Sequence, residues 1–410
     1  MNIIVIGAGI IGLTTARALL ADGHDVTVLD EAAQAGVGTS KANGAQLSYS
    51  FVAPLADSSV LGKLPGWLTR RDAPLRLRLR ADPAQWRWAL SFLAACRRDT
   101  AARTTAELLQ LGLHSRRLTR ALVQDGASSC DFSASGKLLV YQDAAAFAGA
   151  RAQMHYQASL GCEQHALGRD ECLALEPALA DIGQRVVGGV YTPSEDAADC
   201  QALCASLARG LGARLRLGTR VRRLRLRGDA VQALETSAGE MQADAYVVAN
   251  GVGAQALCRQ AGLQPLIYPL KGYSLTYALG PDSRAPRTSL SDVHNKVVYA
   301  RLGDRLRVAG MVDIGDRDAG IDGGRIHQLK EQVRRYLPRL APAGEPEAWA
   351  GLRPARPDGK PLIGRTPVRG LWINAGHGAL GFTLAAGSAG VLADRIAGRP
   401  SPISDTLFQW

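Results

Sequence analysis

Residues 2–30 read NIIVIGAGIIGLTTARALLADGHDVTVLD, and this stretch decides the predicted fold. The β-branched run from Asn2 to Ile6 predicts a buried parallel strand, and the residues from Leu13 to Ala21 predict a helix. A second strand is predicted from Asp25 to Asp30. Because a glycine-rich turn joins the first strand to the helix, the order of elements indicates a Rossmann-like βαβ unit.

The turn has the G-x-G-x-x-G spacing of a dinucleotide-binding motif. Gly7 permits the tight turn, Gly9 lets the backbone approach a pyrophosphate, and Gly12 lets the helix pack closely on the strand. Free N–H groups at the helix N-terminus would bind the pyrophosphate, and Asp30 is placed to accept hydrogen bonds from a ribose without a 2′-phosphate. The alternative is a βαβ unit that binds nothing. The cofactor-binding residues predicted from this unit are Gly7, Gly9, Ile10, Ile11, Gly12, Asp30 and Glu31.

Later segments favour FAD over NAD as the dinucleotide. Residues 39–47, TSKANGAQL, are small and polar, and two later strands run into glycine at residues 249–251 and 374–378. A helix predicted over residues 380–396 follows directly, and its N-terminus supplies N–H donors and a positive dipole end to a reduced flavin ring. NAD needs no such cradle at its ring end. The further predicted FAD-binding residues are Ser40, Asn43, Gly44, Ala45, Gln46, Leu47, Val221, Ala249, Asn250, Gly251, Gly376, Gly378, Ala379, Leu380, Gly381, Phe382 and Thr383.

Length and composition indicate a globular enzyme. The 410 residues suffice for two interleaved units, with 47% hydrophobic and 21% charged residues. No stretch approaches the roughly 18 apolar residues that a transmembrane helix needs. Seven cysteines without a C-x-x-C pair predict reduced thiols, a cytoplasmic location and no metal site.

The net charge of +11 concentrates in the arginines of residues 70–80 and 214–227. Two interpretations stay open. One is peripheral contact with the anionic inner face of the cytoplasmic membrane, and the other is a solvated, arginine-rich surface. Nucleic-acid binding is not predicted, because the clusters lack interleaved aromatic residues.

Beyond the opening motif and TSKANGAQLS, four segments carry a family resemblance. They are PSEDAADCQ from Pro193, YPLKGYSLT from Tyr268, WAGLRPARPDGKPLIGRTP from Trp349 and NAGHGALGFT from Asn374. With them the chain resembles, essentially end to end, the FAD-dependent D-amino acid dehydrogenase (small subunit) family. That family lies within the D-amino acid oxidase/glycine oxidase superfamily.

The resemblance implies an α/β fold, α+β overall, of two discontinuous domains. A Rossmann-like FAD-binding domain is expected from residues 1–50, 195–262 and 345–410. A substrate-binding domain with a mixed, largely antiparallel sheet is expected from residues 51–194 and 263–344. Its helical insertion, from Pro54 to about Gln124, is expected to close over the site.

The resemblance also implies an activity. It is oxidative deamination of a D-amino acid to a 2-oxo acid and ammonia, by hydride transfer from the α carbon to flavin N5. Electrons are expected to pass to a quinone or another respiratory acceptor. Three alternatives stay open: a D-amino acid or glycine-type oxidase that produces hydrogen peroxide, a D-hydroxyproline dehydrogenase, and a flavin-bearing scaffold subunit with little turnover.

Three residues are expected at the chemistry. Arg353, in the Gly-Leu-Arg-Pro context where the superfamily has its substrate arginine, would clamp a carboxylate with two parallel hydrogen bonds. The hydroxyl of Tyr273 would meet the substrate carboxylate or amine, and His377 would influence the flavin charge or the amine proton. Packing and backbone-shaping roles are the alternatives for these two. Arg356 and Arg365 are interpreted as surface or loop residues.

The sequence departs from the family pattern at three positions near the expected site. Asn43-Gly44-Ala45 stands where Asn-Ala-Gly is expected, Phe382 where a tryptophan is expected, and Phe51 where a tyrosine is expected. These differences leave FAD binding intact and leave the preferred amino acid open.

Overall fold

The computed structural model describes residues 1–70, 73–124 and 130–410. Arg71 of the first basic segment, and residues 71–72 of the predicted helical insertion, lie outside the described residues.

The structure has the following helices and strands in this part of the chain. The helices are α1 (Ile10–Ala21), α2 (Val60–Thr69), α3 (Pro83–Ala95), α4 (Arg98–Gln124), α5 (Ala144–Ala158), α6 (Arg169–Leu175), α7 (Cys200–Leu211), α8 (Gly253–Gln260), α9 (Gly323–Tyr336) and α10 (Gly381–Ala397). The strands are β1 (Asn2–Ile6), β2 (Asp25–Leu29), β3 (Gln46–Leu47), β4 (Leu75–Leu77), β5 (Lys137–Tyr141), β6 (His165–Gly168), β7 (Gly188–Thr192), β8 (Asp196–Ala197), β9 (Leu215–Arg216), β10 (Val221–Arg227), β11 (Ala230–Thr236), β12 (Gly239–Met241), β13 (Ala245–Val248), β14 (Tyr268–Ala278), β15 (Ser289–Asp292), β16 (Val297–Leu302), β17 (Arg305–Ile314), β18 (Glu347–Ala355), β19 (Leu362–Arg365) and β20 (Leu371–Ala375).

The first sheet has the strand order β19-β20-β13-β1-β2-β9, with β20, β13, β1, β2 and β9 parallel. β1 lies inside this sheet, and its residues from Ile3 to Ile6 are buried on both faces. Ile3 and Val5 pack in one core with α1, whereas Ile4 and Ile6 pack in a second core on the opposite face. A strand buried on both faces needs a continuous apolar run, which is why NIIVI could be recognised as a central parallel strand.

The second sheet has the order β18-β14-β17-β16-β15-β5-β7-β6, and β4 pairs with β17 outside this path. Its neighbours are antiparallel except for β15 with β5 and β17 with β4. The predicted fold class is therefore confirmed: a Rossmann-like parallel sheet and a mixed, largely antiparallel sheet.

The long strand β14 shows how this second sheet separates two environments. Tyr273 and Leu275 lie in the core beneath α9, together with Leu329 of that helix. Because side chains alternate along a strand, Leu270 and Gly272 face the opposite side. Both of these residues line the large cavity described below.

The helix α4 departs from the predicted division into domains. Residues 51–194 were expected to belong to the substrate domain, but Leu108 and Leu111 of α4 share the core of the first sheet. The hydroxyl of Ser115 donates to the Thr383 carbonyl at 2.6 Å and accepts from the Gly387 N–H at 3.0 Å. The absence of a side chain at Gly387 allows this approach, because a Cβ there would lie 2.7 Å from Cβ of Ser115.

Replacing Gly12 by alanine tests the packing of α1 on β1. A Cβ at this position would lie 1.8 Å from the Gly7 carbonyl oxygen, a distance that backbone atoms cannot accommodate. Gly12→Ala should lower the melting temperature strongly or abolish folding, as measured by circular dichroism. Gly210→Ala, at an exposed position of α7 with open space around it, is the control and should be neutral or stabilise by about 0.5–1 kcal/mol. Equal melting temperatures of the two variants would contradict this account.

Candidate active site

A cavity of about 1560 Å³ is lined by residues from both sheets and from the helical insertion. Pockets for drug-sized ligands have volumes of roughly 300–1,000 Å³. The cavity therefore has room for a dinucleotide and for a small substrate beside it.

The glycine-rich turn forms one end of this cavity. Gly7 has φ of 113°, and a Cβ there would lie 2.7 Å from the Ala249 carbonyl oxygen. The N–H of Ile10 donates to the Ser40 hydroxyl at 3.1 Å, and the N–H of Ala8 donates to the Asp30 carboxylate at 2.6 Å. The turn thus has the positive-φ glycine expected of a pyrophosphate cradle, and Asp30 borders the cavity.

The carboxyl ends of β13 and β20 lie at the same edge of the parallel sheet, where ligands of such folds bind. Asn250 follows β13, and the 3-10 turn Gly378–Leu380 follows β20 and leads into α10. The side-chain oxygen Oδ1 of Asn250 is buried and has no hydrogen-bond partner among the described residues. An unsatisfied buried polar atom at this edge fits a polar ligand such as the ADP part of FAD.

The cavity brings together the predicted cofactor residues with two exceptions. Gly12 lies outside the lining, in agreement with its expected role in packing. Leu47 was predicted to contact FAD, but it does not line the cavity. Gln46 and Leu47 form the short strand β3, so their side chains point in opposite directions. Gln46 faces the cavity, whereas Leu47 is fully buried in the apolar core.

Arg353 lies on β18, directly opposite Leu270 of β14. Its Nη1 donates to the Met311 carbonyl at 3.2 Å. Among the residues that the structure describes, no carboxylate lies within ion-pair distance of this guanidinium. Burial lowers the pKa of Arg353 to about 10, so the side chain stays cationic at neutral pH. A half-buried cation without a counter-ion is suited to bind an anionic ligand.

Two backbone features place this guanidinium. The first is Gly272, where a Cβ would lie only 2.3 Å from Nη2 of Arg353. The second is a bulge in the pairing of β14 with β17, between Lys271 and Tyr273. Met311 sits in the bulged stretch with φ of 59°, and its carbonyl accepts the hydrogen bond from Arg353. Bulges often redirect groups beside active sites in this way.

Tyr273 differs from the prediction that its hydroxyl meets the substrate. The residue borders the cavity, but its ring packs in the core beneath α9. Its hydroxyl donates to the buried Asp313 carboxylate at 2.8 Å. Asp313 also accepts hydrogen bonds from Arg325 and from Arg76. The physical reason is strand alternation, because Gly272 and Tyr273 face opposite sides of β14.

His377 lines the cavity and is 2% exposed. Burial lowers its pKa to about 3, so the imidazole is neutral at physiological pH. Its Nε2 has no hydrogen-bond partner in the described part of the chain. A fixed positive charge beside a flavin is therefore not available from His377, although a neutral ring can still exchange a hydrogen bond with a ligand.

Arg356 was interpreted as a surface or loop residue, and it does lie in the loop that follows β18. It is half-buried and lines the cavity. Its Nη1 donates to the Pro265 carbonyl at 3.2 Å, and its Nε lies 3.6 Å from the Asp358 carboxylate. The glycine at position 376 makes space for it, because a Cβ there would lie 2.9 Å from Cδ of Arg356.

Lys137 is a cavity residue that the sequence gave no reason to single out. Its ammonium donates to the Ser48 hydroxyl at 2.8 Å and lies 4.5 Å above the Phe51 ring. Burial lowers the pKa of Lys137 to about 8. In the sequence it opens an ordinary apolar strand, KLLVY, and only the sheet order brings that strand to the cavity.

Three arginines of the first basic segment form ion pairs within the protein. Arg76 pairs with Asp313 at 2.5 Å, Arg78 with Asp316 at 3.2 Å, and Arg80 with Asp316 at 3.5 Å. The arginines of β4 and of the residues just after it thus contact aspartates near the end of β17. The sequence could not reveal this pairing, since more than 230 residues separate the partners.

Comparisons with known proteins agree with this geometry. A D-amino acid dehydrogenase 2 from Ralstonia nicotianae is 50% identical over 417 residues, covering 98% of this chain and 98% of that protein. A D-amino acid dehydrogenase 2 from Pseudomonas aeruginosa is 47% identical over 410 residues, covering 99% and 97%. The crystal structure of glycine oxidase from Geobacillus kaustophilus superposes with a TM-score of 0.80 at 21% identity, covering 99% and 97%.

The family model for FAD dependent oxidoreductases, DAO, matches residues 2–395. This span includes the glycine turn, both strand ends at the cavity and Arg353. The cradle, the unpaired Asn250 oxygen and the size of the cavity all fit the cofactor that the family name specifies. The chain belongs to the family of FAD dependent oxidoreductases, DAO.

Proposed function

We propose that this protein is an FAD-dependent D-amino acid dehydrogenase. It would convert a D-amino acid to the imino acid, which water hydrolyses to a 2-oxo acid and ammonia. The observation that carries the proposal is the cationic side chain of Arg353 in the same cavity as the dinucleotide cradle. The D configuration is supported by the names of the relatives that share 50% and 47% of their residues with the chain.

FAD would supply the two-electron acceptor for the hydride that leaves the α carbon. The task of the protein is then positioning, because a reacting pair held in a near-attack geometry gains most of its rate from fixed orientation. Arg353 would bind the substrate carboxylate through two parallel N–H···O bonds, which fix direction as well as charge. The hydrogen bond from Nη1 to Met311 and the close contact with Gly272 limit the motion of this clamp.

The proposed FAD site comprises the predicted residues other than Gly12 and Leu47, with Gly12 acting through packing. Its ring end would lie at the Gly378–Leu380 turn and the start of α10, where free N–H groups favour negative charge. Neutral His377 would exchange a hydrogen bond with the cofactor there. The proposed domain division keeps residues 1–50, 195–262 and 345–410 in the FAD-binding domain and adds α4 to its core.

We propose a quinone or another respiratory carrier as the electron acceptor. Support comes from an exposed apolar stripe on α3, formed by Trp86, Leu90 and Leu93, which are 47%, 67% and 38% exposed. The opposite face of the same helix carries Trp88 and Phe92 and lines the cavity. An apolar carrier would approach a surface of this kind.

The same stripe supports peripheral contact with an anionic membrane, on the inner face of the cytoplasmic membrane. Arg87, Arg97 and Arg98 are exposed beside it, and helices with an apolar face and flanking arginines lie in bilayer interfaces. Within the described residues, no helix combines the length and the apolar character needed to cross a membrane.

Replacing Arg353 tests the carboxylate clamp. Arg353→Ala should weaken substrate binding by about 2–5 kcal/mol, or roughly 30-fold or more, because a charged partner is lost. The measurement is bleaching of the flavin absorbance on anaerobic mixing with D-amino acids. The purified variant should remain yellow. Arg365→Ala, which removes an exposed arginine of the same segment, is the control and should bind substrate normally. Colour loss in Arg353→Ala would refute the assigned role.

Gly272→Ala tests the position of the Arg353 guanidinium while the arginine itself is retained. The added methyl group would displace the guanidinium of Arg353 from its observed position. The apparent Kd for substrate should therefore rise at least roughly 10-fold, while the FAD content stays unchanged. Gly149→Ala, on α5 with open space around its Cα, is the matched control. Normal substrate binding by Gly272→Ala would show that the position of this arginine does not matter for capture.

Vesicle sedimentation tests the membrane contact. The protein should sediment with anionic vesicles and much less with zwitterionic ones. The double substitution Trp86→Ser and Leu90→Ser should lower that partitioning at least roughly 10-fold, because two large exposed apolar groups are removed. Leu226→Ser, an exposed leucine on β10, serves as the control. Equal binding of all three proteins would exclude α3 as the contact surface.

A further inference from the structure

The wall of the cavity beside Arg353 is apolar and is built by the helical insertion. Its side chains come from α2, from β4 and the residue before it, and from α3. We call this set the apolar wall; its members are Val60, Trp67, Pro74, Leu75, Trp88 and Phe92.

The apolar wall adjoins the guanidinium through the strands that hold it. Nε1 of Trp88 donates to the Ala355 carbonyl at 2.9 Å, two residues along β18 from Arg353. Leu75 pairs with Val312, the neighbour of the Met311 residue whose carbonyl binds Arg353. A small molecule whose carboxylate is bound by Arg353 therefore has its remaining atoms within reach of this wall.

The apolar wall is rigid and already formed. Trp88 and Phe92 stack with ring centroids 5.0 Å apart, and Tyr268 packs on Trp88 at 5.9 Å. Trp88 and Phe92 are 3% and 4% exposed and belong to one core with Leu75. Trp67 is half-buried and packs against that core. A ligand would not need to order these side chains on binding, which preserves affinity.

The wall offers no partner for a charged ligand group. In the described part of α2, β4 and α3, none of the side chains that line the cavity is charged. Arg76, between Leu75 and Leu77 on β4, is paired with Asp313. Asp57, which also lines the cavity ahead of α2, accepts the N–H of Ser59 at 2.6 Å. A carboxylate on the substrate side chain would be desolvated here without compensation.

We infer that the substrates are D-amino acids with large apolar or aromatic side chains, which pack on the apolar wall while Arg353 binds the carboxylate. This inference rests on the proposed function and specifies its substrate class. An apolar electron acceptor is the competing occupant of the wall, and the experiment distinguishes the two.

The first experiment measures reduction of the FAD-loaded enzyme by D-phenylalanine, D-leucine, D-alanine and D-glutamate under anaerobic conditions. Flavin bleaching gives the limiting rate and the apparent Kd for each. The ratio of rate to Kd should be at least roughly 10-fold higher for D-phenylalanine and D-leucine than for D-alanine, and lowest for D-glutamate. Equal or better reduction by D-alanine would overturn the inference and leave the proposed function standing. Absence of bleaching with every amino acid would refute both.

The second experiment alters the wall. Trp67→Ala should raise the apparent Kd for D-phenylalanine at least roughly 10-fold and leave that for D-alanine within about 2-fold. Leu68→Ala, at the adjacent and exposed position, is the matched control and should change neither. Phe92→Leu keeps the core filled and should act in the same direction as Trp67→Ala.

Reoxidation of the reduced enzyme by a soluble quinone analogue completes the test. Trp67→Ala and Phe92→Leu should reoxidise at the rate of the unaltered enzyme. Slower reoxidation, together with normal reduction by D-phenylalanine, would assign the apolar wall to the acceptor and overturn the inference.

Discussion

The site depends on one cation that has no counter-ion among the described residues. The guanidinium of Arg353 is supported by a single carbonyl, that of Met311, and by contact with the backbone of Gly272. Such a group is costly to keep in the protein, because desolvation of a charge is not repaid by an ion pair. The bulge in β14 and β17, the glycine and the cavity are arranged so that an anionic ligand supplies the missing interaction.

Much of this arrangement could be predicted from the sequence, because it depends on short sequence motifs. The glycine turn, the strands that end in glycine and the segment around Arg353 each require a particular backbone conformation or side-chain type. The differences from the prediction have a common cause in strand geometry and long-range packing. Whether Leu47 and Tyr273 face the cavity depends on which side of a strand they occupy, and the burial of Arg356 depends on space left by a distant glycine.

In the helical insertion, too, the sequence alone could not predict which side chains face the site. The insertion was expected to close over the site, but the sequence could not tell which of its residues line it. On α3, Trp88 and Phe92 face inward while Trp86 and Leu90 face outward. A helix that is apolar on both sides gives no clear amphipathic signal. Only the contacts with β18 and with the core around Leu75 separate its two faces.

The sheet that carries Arg353 packs on its reverse side against an apolar core, and the carboxylate of Asp313 lies at the edge of that core beside Tyr273. Asp313 is fully buried, and its carboxylate accepts hydrogen bonds from Tyr273, Arg325 and Arg76. Burial alone would raise its pKa, but the bonds from Arg325 and Arg76 outweigh it and hold the pKa below the usual range. Its contribution to stability is therefore lost only as pH falls through that depressed value. In acid, protonation would weaken the ion pairs of Asp313 with Arg325 and Arg76, while Arg76 would keep its second contact, with Asp322 at 3.1 Å. Acid would thereby loosen the packing behind β14 and β17, the strands that position Arg353.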